Sequence, residues 1–195
     1  MWVFFLLRYK PNMKKILGFD VSSTVTAYCC LELDGGKIIN IKHGYIKPQK
    51  TGSIFERLEK FSKDISAIIS SINPDEVAIE DIIQFMGRNS SANTIITLAL
   101  FNRTVGLASH KLNLTPTMYA VSSIRSKIKV GSKLPKKEEI PGILESKFNI
   151  KFPYVYAKPK AGSNLAVGKI KQESYDLGDA FAVAICHAIK KNELK

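Results

Sequence analysis

Four acidic residues have surroundings that make them candidates for chemistry: Asp20 within ILGFDVS, Glu80 at the end of EVAIE, and Asp176 and Asp179 in DLGDAFAVAICHA. An acid embedded in apolar neighbours is harder to attribute to a solvated turn than one in a polar stretch. Asp176 and Asp179 are three residues apart, which on a helix puts both on nearly one face and lets them converge. Four carboxylates brought together repel and raise one another's pKa, and divalent cations relieve that repulsion. Hard oxygen donors select Mg²⁺, with Mn²⁺ able to substitute, over zinc. Two such ions about 4 Å apart activate a water, stabilise a leaving oxygen and clamp a phosphodiester for in-line attack. Taken singly, each acid also has a plainer reading: Asp20 as a turn former, Glu80 as an exposed strand end, and Asp176 and Asp179 as charges favoured at the positive end of a helix.

Other chemistries find little support. His43, His110 and His187 are scattered without ligand spacing, which argues against a histidine zinc site or a Ser-His-Asp triad. Cys29, Cys30 and Cys186 are odd in number and lie in apolar runs, so they read as reduced core residues. With 29 Lys and Arg against 17 Asp and Glu, the formal net charge of +12 suits a polyanionic partner, nucleic acid first. The base composition of a genome that favours Lys and Ile yields a similar surface without function, so charge alone does not decide. A hydrophobic content of 45% with 24% charged residues suits a folded chain and excludes wholesale disorder.

The elements that must position the acids follow from periodicity. KILGFDVS, TAYCCLELD and KIINIKHGYI read as three antiparallel strands, with Asp34-Gly35-Gly36 as a tight hairpin turn. Ile54, Leu58, Phe61, Ile65, Ile68 and Ile72 form one helical stripe after Ser53, a plausible N-cap, and the helix stops before Asn73-Pro74. VAIE at 77–80 reads as a buried strand ending in an acid. A polar loop at 81–90, containing Phe85 and Met86, leads into a helix over 91–111 that is apolar on more than one face and so wants two partners. LTPTMYAV at 114–121 is a further strand candidate, followed by a basic loop IRSKIKVGSKLPKKEE and a short helix over 136–148. Residues 149–172, rich in Lys, Pro and Gly, read as a loop or small ribbon outside the core. Leu177, Ala180, Phe181, Ala184, Ile185 and Ala188 then define a closing amphipathic helix over 174–191, with Asp176 and Asp179 in its first turn. The expected fold is α/β, an RNase H-like mixed five-stranded sheet, antiparallel over its first three strands and parallel from the first to the fourth and fifth, flanked by helices. Strands one and four are then central neighbours, so Asp20 and Glu80 emerge side by side.

Over roughly residues 14–188 the chain resembles the RuvC-type Holliday junction resolvases. DLGDAFAVAICHA is similar to that family's D-x-x-D-A-[LF]-A-[IV]-A helix motif, and AIEDIIQFMGRNSSANTIITLALFNRTVGLA resembles its fourth-strand acid, Phe-containing loop and dimer-forming helix. The resemblance implies a Mg²⁺-dependent endodeoxyribonuclease that cuts branched DNA, leaving 5′-phosphate and 3′-hydroxyl ends. Asp20, Glu80, Asp176 and Asp179 would be its metal ligands, and the helix over 91–111 would make it a homodimer. It also implies DNA contacts: Phe85 packing against a base, with Met86, Arg88 and Asn89 in the same loop, and Lys127, Lys129, Lys133, Lys136 and Lys137 holding junction arms through salt-sensitive phosphate contacts. Two departures stand out. Many members have Asp-Pro-Gly where this chain has Asp20-Val21-Ser22-Ser23, and the segment 149–172 before the last acids is longer.

Two other classes remain in view: an RNase H-like nuclease for RNA, RNA–DNA hybrid or flaps, which the acids do not distinguish, and a non-catalytic nucleic-acid-binding module, against which the intact carboxylates argue. A sugar-kinase-like ATPase would need a second phosphate-binding half. Residues 13–195 read as one nuclease domain. Residues 1–12, whose apolar run Trp2 to Leu7 is too short for a signal-peptide core or a membrane span, read as an N-terminal extension, or else a weak targeting peptide. The expected location is cytoplasmic, or viral within a host cell, and not secreted.

Overall fold

Alternation of side chains along β1 (Lys14–Asp20) explains why this strand is central in the computed structural model, which describes residues 13–82, 91–157 and 169–194. Ile16 points into one apolar layer while Leu17 and Phe19 point into another, so both faces of the strand require cover. On one side β1 pairs antiparallel with β2 (Thr26–Asp34), which pairs antiparallel with β3 (Lys37–Ile46). On the other side it pairs in parallel with β4 (Glu76–Glu80), which pairs in parallel with β5 (Thr117–Tyr119). The order β3-β2-β1-β4-β5 is the mixed five-stranded sheet expected. The β2–β3 hairpin closes through Gly35 (φ 56°) and Gly36 (φ 81°), the two positive φ values that a two-residue type I′ turn demands.

One face of the sheet is covered by α1 (Ile54–Ile72) and α2 (Ala92–Lys111). Helix α1 starts at a capping box in which Ser53 Oγ accepts from the Glu56 N–H while the Ser53 N–H donates to Glu56 Oε2. It ends at Asn73, held left-handed at φ 50°. Phe61 of α1 and Phe101 of α2 meet at a ring separation of 5.0 Å, joining the two helices over Leu17, Phe19 and Ile79.

The opposite face carries α5 (Gln172–Lys190), which packs directly on β1 and β2. Gly18 makes this approach possible: a Cβ there would lie 2.7 Å from Ala180 O and 2.7 Å from Ala184 N. Two further helices, α3 (Val121–Ile128) and α4 (Ile140–Phe148), flank α5. Cys29, Cys30 and Cys186 are buried free thiols within these layers.

The structure differs from the sequence-based expectations in four places. Helix α3 replaces the first part of the expected basic loop, because Ile124 and Ile128, four apart, both bury into the core beneath an otherwise polar surface. The strand expected over 114–121 shrinks to three residues. Ile150 and Phe152 are core residues, with Phe152 5.4 Å from the ring of Phe181, so the segment after Phe148 is not wholly outside the core. Beyond them a bridge pairs Tyr156 with Ile170, a minimal ribbon. Finally, α5 begins at Gln172, so Asp176 and Asp179 lie beyond its first turn, out of reach of the strongest helix-end field. Among the described residues no helix is long and apolar enough to cross a membrane.

Candidate metal centre

Parity along the two central strands decides where the first two acids go. Ile16 and Ala78 face α5, and steps of two along each strand bring Asp20 and Glu80 out on that same face. The parallel register, Gly18 beside Ala78 and Phe19 beside Ile79, sets the two strand ends level. The same close packing at Gly18 positions α5: Ala180 lies over Gly18, so Asp179, one residue earlier, reaches the sheet edge where β1 ends.

Lys137 marks the point on which these acids converge. It projects from a single 3₁₀ turn, Lys137–Glu139, closed by the Lys136 N–H donating to Glu139 Oε2 at 2.6 Å. Its Nζ lies 2.6 Å from Asp179 Oδ2, 2.9 Å from Asp176 Oδ1 and 3.7 Å from Asp20 Oδ2. The side chains of Asp179 and Asp20 are only 8% and 18% exposed, so solvent screens these pairs far less than surface ion pairs. Gln172 Nε2 donates to Asp176 Oδ1 at 3.2 Å, and Lys137 shares that oxygen.

Glu80 completes the group from the β4 side. Together with Asp20 and Asn102 it lines a cavity of about 70 Å³. Buried Asn102 on α2 donates from Nδ2 to Glu80 O at 2.8 Å, fixing the strand end to the helix.

The electrostatics are those of a cation site. Burial, then repulsion from Asp20 and Asp179, pushes the Glu80 carboxyl up to about 8. Burial pushes Asp20 up to about 7, with repulsion from Asp179 and Asp176 adding to the rise and the Lys137 ammonium opposing it. Burial also raises Asp179. Burial works against the charge on Lys137, but Asp20 and Asp179 outweigh it and hold the ammonium protonated. Carboxylates that resist ionisation beside a single ammonium are short of positive charge, and a hard divalent cation supplies it. Among the described residues no three candidate ligand side chains are already set around one metal-sized point, because the acids are turned onto Lys137. Asp20, Glu80, Asp176 and Asp179 are the residues that could hold such a cation, near the position the Lys137 ammonium takes.

Sequence reasoning placed Lys137 among the arm-holding lysines and did not see it inside the acid cluster; only the 3₁₀ turn reveals that. Lys127, Lys133 and Lys136 are exposed and Lys129 is half-buried. Phe85, Met86, Arg88 and Asn89 lie outside the described residues. Asn102 was missed, although a lone Asn in the apolar run ITLALFNRTVGLA is a signal that could have found it. His187 lies away from the cluster, buried between Tyr119, whose hydroxyl meets its Nδ1 at 3.0 Å, and Glu76, which meets its Nε2.

This arrangement was compared with known proteins. The sequence model of the family described as crossover junction endodeoxyribonuclease RuvC matches residues 16–157, well over half of the chain. The chain belongs to the RuvC family. The matched segment carries Asp20, Glu80 and Lys137, while Asp176 and Asp179 follow it. RuvC of Citrifermentans bemidjiense is 28% identical over 173 residues, covering 89% of this chain and 91% of that protein. RuvC of Shewanella sp. strain W3-18-1 is 30% identical over 175 residues, covering 90% and 87%. Among solved structures, Thermus thermophilus RuvC in complex with a Holliday junction substrate superposes with a TM-score of 0.65 at 15% identity, covering 91% of this chain and 95% of that one. The yeast mitochondrial Holliday junction resolvase Ydc2 superposes with a TM-score of 0.61 at 10% identity, covering 89% and 77%. At those identities the likeness concerns the fold, and it is the RuvC fold over nearly the whole chain. RuvC is a family of metal-dependent nucleases, in accord with the oxygen-rich cluster at the β1 and β4 ends.

Proposed function

We propose that the chain is a structure-selective endodeoxyribonuclease that resolves four-way DNA junctions. Asp20, Glu80, Asp176 and Asp179 hold two Mg²⁺ ions, for which Mn²⁺ substitutes. The observation that carries the chemistry is the convergence of Asp20, Asp176 and Asp179 on one cation position beside Glu80. The junction as substrate rests on membership of the RuvC family.

Divalent ions bound there supply Lewis acidity to the phosphodiester and to the attacking water. The chain's own residues do the rest. Asp20 and Glu80, on backbone fixed by strand pairing, and Asp176 and Asp179, on backbone fixed by the packing of α5 on Gly18, would hold the ions with a change of side-chain rotamer only. Lys137, beside those carboxylates, would donate to a phosphate oxygen. Lys127, Lys129, Lys133 and Lys136 hold the arms by phosphate contacts, as Phe85, Met86, Arg88 and Asn89 hold the bases and backbone near the crossover. Products carry 5′-phosphate and 3′-hydroxyl ends.

Helix α2 supports a homodimer. Ile96, Leu100 and Leu107 are 57%, 40% and 53% exposed at helical spacing, an apolar stripe without cover in the single chain. A two-fold dimer through it would offer two centres to the two opposed strands of a symmetric junction.

The test is cleavage of a four-way junction, a flap, a linear duplex and an RNA–DNA hybrid in Mg²⁺ by wild type and Asp20→Asn. The junction is expected to be cut in preference, and Asp20→Asn to lose at least about a hundredfold in rate. Preference for the hybrid or the flap would overturn the junction assignment, and undiminished cutting by Asp20→Asn would overturn the metal centre.

A further inference from the structure

Beside the acid cluster, on its β5 side, lies a second and larger cavity of about 620 Å³ that the metal chemistry does not use. Chain continuity ties it to the centre. Asp81 and Ile82 follow Glu80 directly, and Leu134 and Pro135 stand just before Lys137. Ile82, Val121, Leu134 and Pro135 give it aliphatic walls, with Leu134 49% exposed, and Asp81, Ser122, Arg125 and Lys136 line the rest.

Arg125 of α3 lines this cavity, and its Nε is buried with no hydrogen-bond partner among the described residues. A buried donor without an acceptor is costly in a folded protein and signals a group waiting for a ligand. Its charge is felt at Glu80 and Asp179, where it favours the ionised carboxylates. Asp81, on the same rim, is already occupied by Arg103, whose Nη2 donates to Asp81 Oδ1 at 2.9 Å, so its carboxylate does not neutralise Arg125. Ala120, the N-cap of α3, offers no side-chain cap, so among the described residues the first backbone N–H groups of α3 at the cavity rim have no side-chain partner.

Resting on the reading of the chain as a nuclease for DNA, we propose that this cavity receives one unstacked nucleobase of the cut strand, next to the scissile phosphate. Its faces lie between Leu134 with Pro135 and Val121 with Ile82, and its acceptor edge is met by Arg125. The volume falls in the range of small-molecule sites and exceeds what a single base needs. Apolar walls take the faces of any base, whereas the Arg125 guanidinium and the Lys136 ammonium offer donors only and Ser122 can play either part, so the pocket favours a base edge rich in acceptors. Arg125 is then a specificity residue: it makes the rate at a given phosphate depend on which base flanks it. An unstacked base at a branch point is cheaper to extrude than one inside a duplex, which couples this pocket to branched substrates.

The test separates this pocket from the nuclease reading. 2-Aminopurine is placed singly at each position within three nucleotides of the crossover in a four-way junction and titrated with protein in EDTA, where no cutting occurs. One position is expected to brighten severalfold with wild type and to stay dark with Leu134→Asp, an exposed substitution whose melting temperature should match wild type. Junction binding with no brightening at any position would overturn the pocket while leaving the nuclease reading intact; failure to bind the junction over a duplex would overturn that reading instead. With Mg²⁺, exchanging the base at that position, or removing it as an abasic site, should change the wild-type cleavage rate about tenfold. Arg125→Gln should level the rates among the four bases, and an unchanged ranking in Arg125→Gln would overturn the role of Arg125.

Discussion

Lys137 Nζ lies 2.6 Å from Asp179 Oδ2, so a lysine from a short turn pairs with an acid whose carboxyl burial pushes up. The same ammonium also contacts Asp176 and lies near Asp20, which makes it the counter-ion of the whole cluster. Removing it leaves three carboxylates facing one another with only the Arg125 charge, felt at Asp179, to offset them. Lys137→Met is therefore expected to destabilise the metal-free protein at neutral pH by about 1–3 kcal/mol, less than for a fully buried pair because Lys137 is 28% exposed. In a chain of this size that lowers Tm by about 2–4 °C for each kcal/mol. Mg²⁺ should restore the loss, so the Mg²⁺-induced rise in Tm is larger in the variant than in wild type. Equal rises in differential scanning fluorimetry would show that Lys137 and the metal do not share a position.

The carboxyls of Glu80 and Asp20, raised to about 8 and about 7, set a pH dependence of unusual sign. In the unfolded chain such groups titrate near about 4, so between roughly pH 4 and 8 the folded protein binds more protons than the unfolded one. Their contribution is fully present below the unfolded value and is lost as pH rises through the folded values. The metal-free protein should thus melt at a lower temperature at about pH 8.5 than at about pH 6, and Mg²⁺ should abolish the difference because the metal takes the place of the protons. Mg²⁺ affinity should climb across the same window with release of protons, which calorimetry in two buffers of different ionisation enthalpy measures directly. A metal-free protein more stable at the higher pH would contradict the assignment.

Gly18 is the contact on which the spacing of strand and helix depends. A methyl group there meets Ala180 O and Ala184 N at 2.7 Å, and both are backbone atoms that cannot swing aside. Gly18→Ala should cost about 3 kcal/mol by overpacking and displace α5 from β1, carrying Asp176 and Asp179 away from Asp20. Activity should fall further than stability alone explains, and it should not return at temperatures where the variant is fully folded. Full activity in the folded variant would show that the site tolerates movement of α5.

The apolar stripe of α2 gives a test by mass. Leu100→Lys places a charge amid Ile96 and Leu107 without touching the core, since Leu100 is already 40% exposed. Wild type is expected to sediment as a dimer at micromolar concentration, and the variant as a monomer with unchanged Tm at low concentration. Sedimentation of wild type as a monomer throughout would remove α2 as the dimer face.

Much of this was legible in the chain. The alternation in ILGFD and EVAIE contains the parity that sends Asp20 and Glu80 to one face, and the three-residue spacing of Asp176 and Asp179 contains their common direction. The two-residue hairpin turn at Gly35-Gly36 and the capping box at Ser53 were readable because they depend on residues within four positions of one another. Helix α3 was hidden because its two core anchors, Ile124 and Ile128, are outnumbered by polar and basic neighbours that suggest a loop. The start of α5 is hidden for a related reason: Lys171 makes no side-chain cap, so apolar periodicity alone places the first turn too late.

By itself, then, the sequence determined which acids could meet, because four acids in apolar settings at those places in the strand and helix order point to one cluster of hard oxygen donors. The tertiary structure alone decided what stands among those acids and beside them. The position of Lys137 depends on how a 3₁₀ turn docks across α5, with Lys137 lying 39 residues before Asp176 in sequence, and the placing of Arg125 on the wall of a cavity depends on α3 forming at all. Local periodicity is written in neighbouring residues, whereas distances between elements arise from packing, and the cation site and the cavity are both properties of such distances.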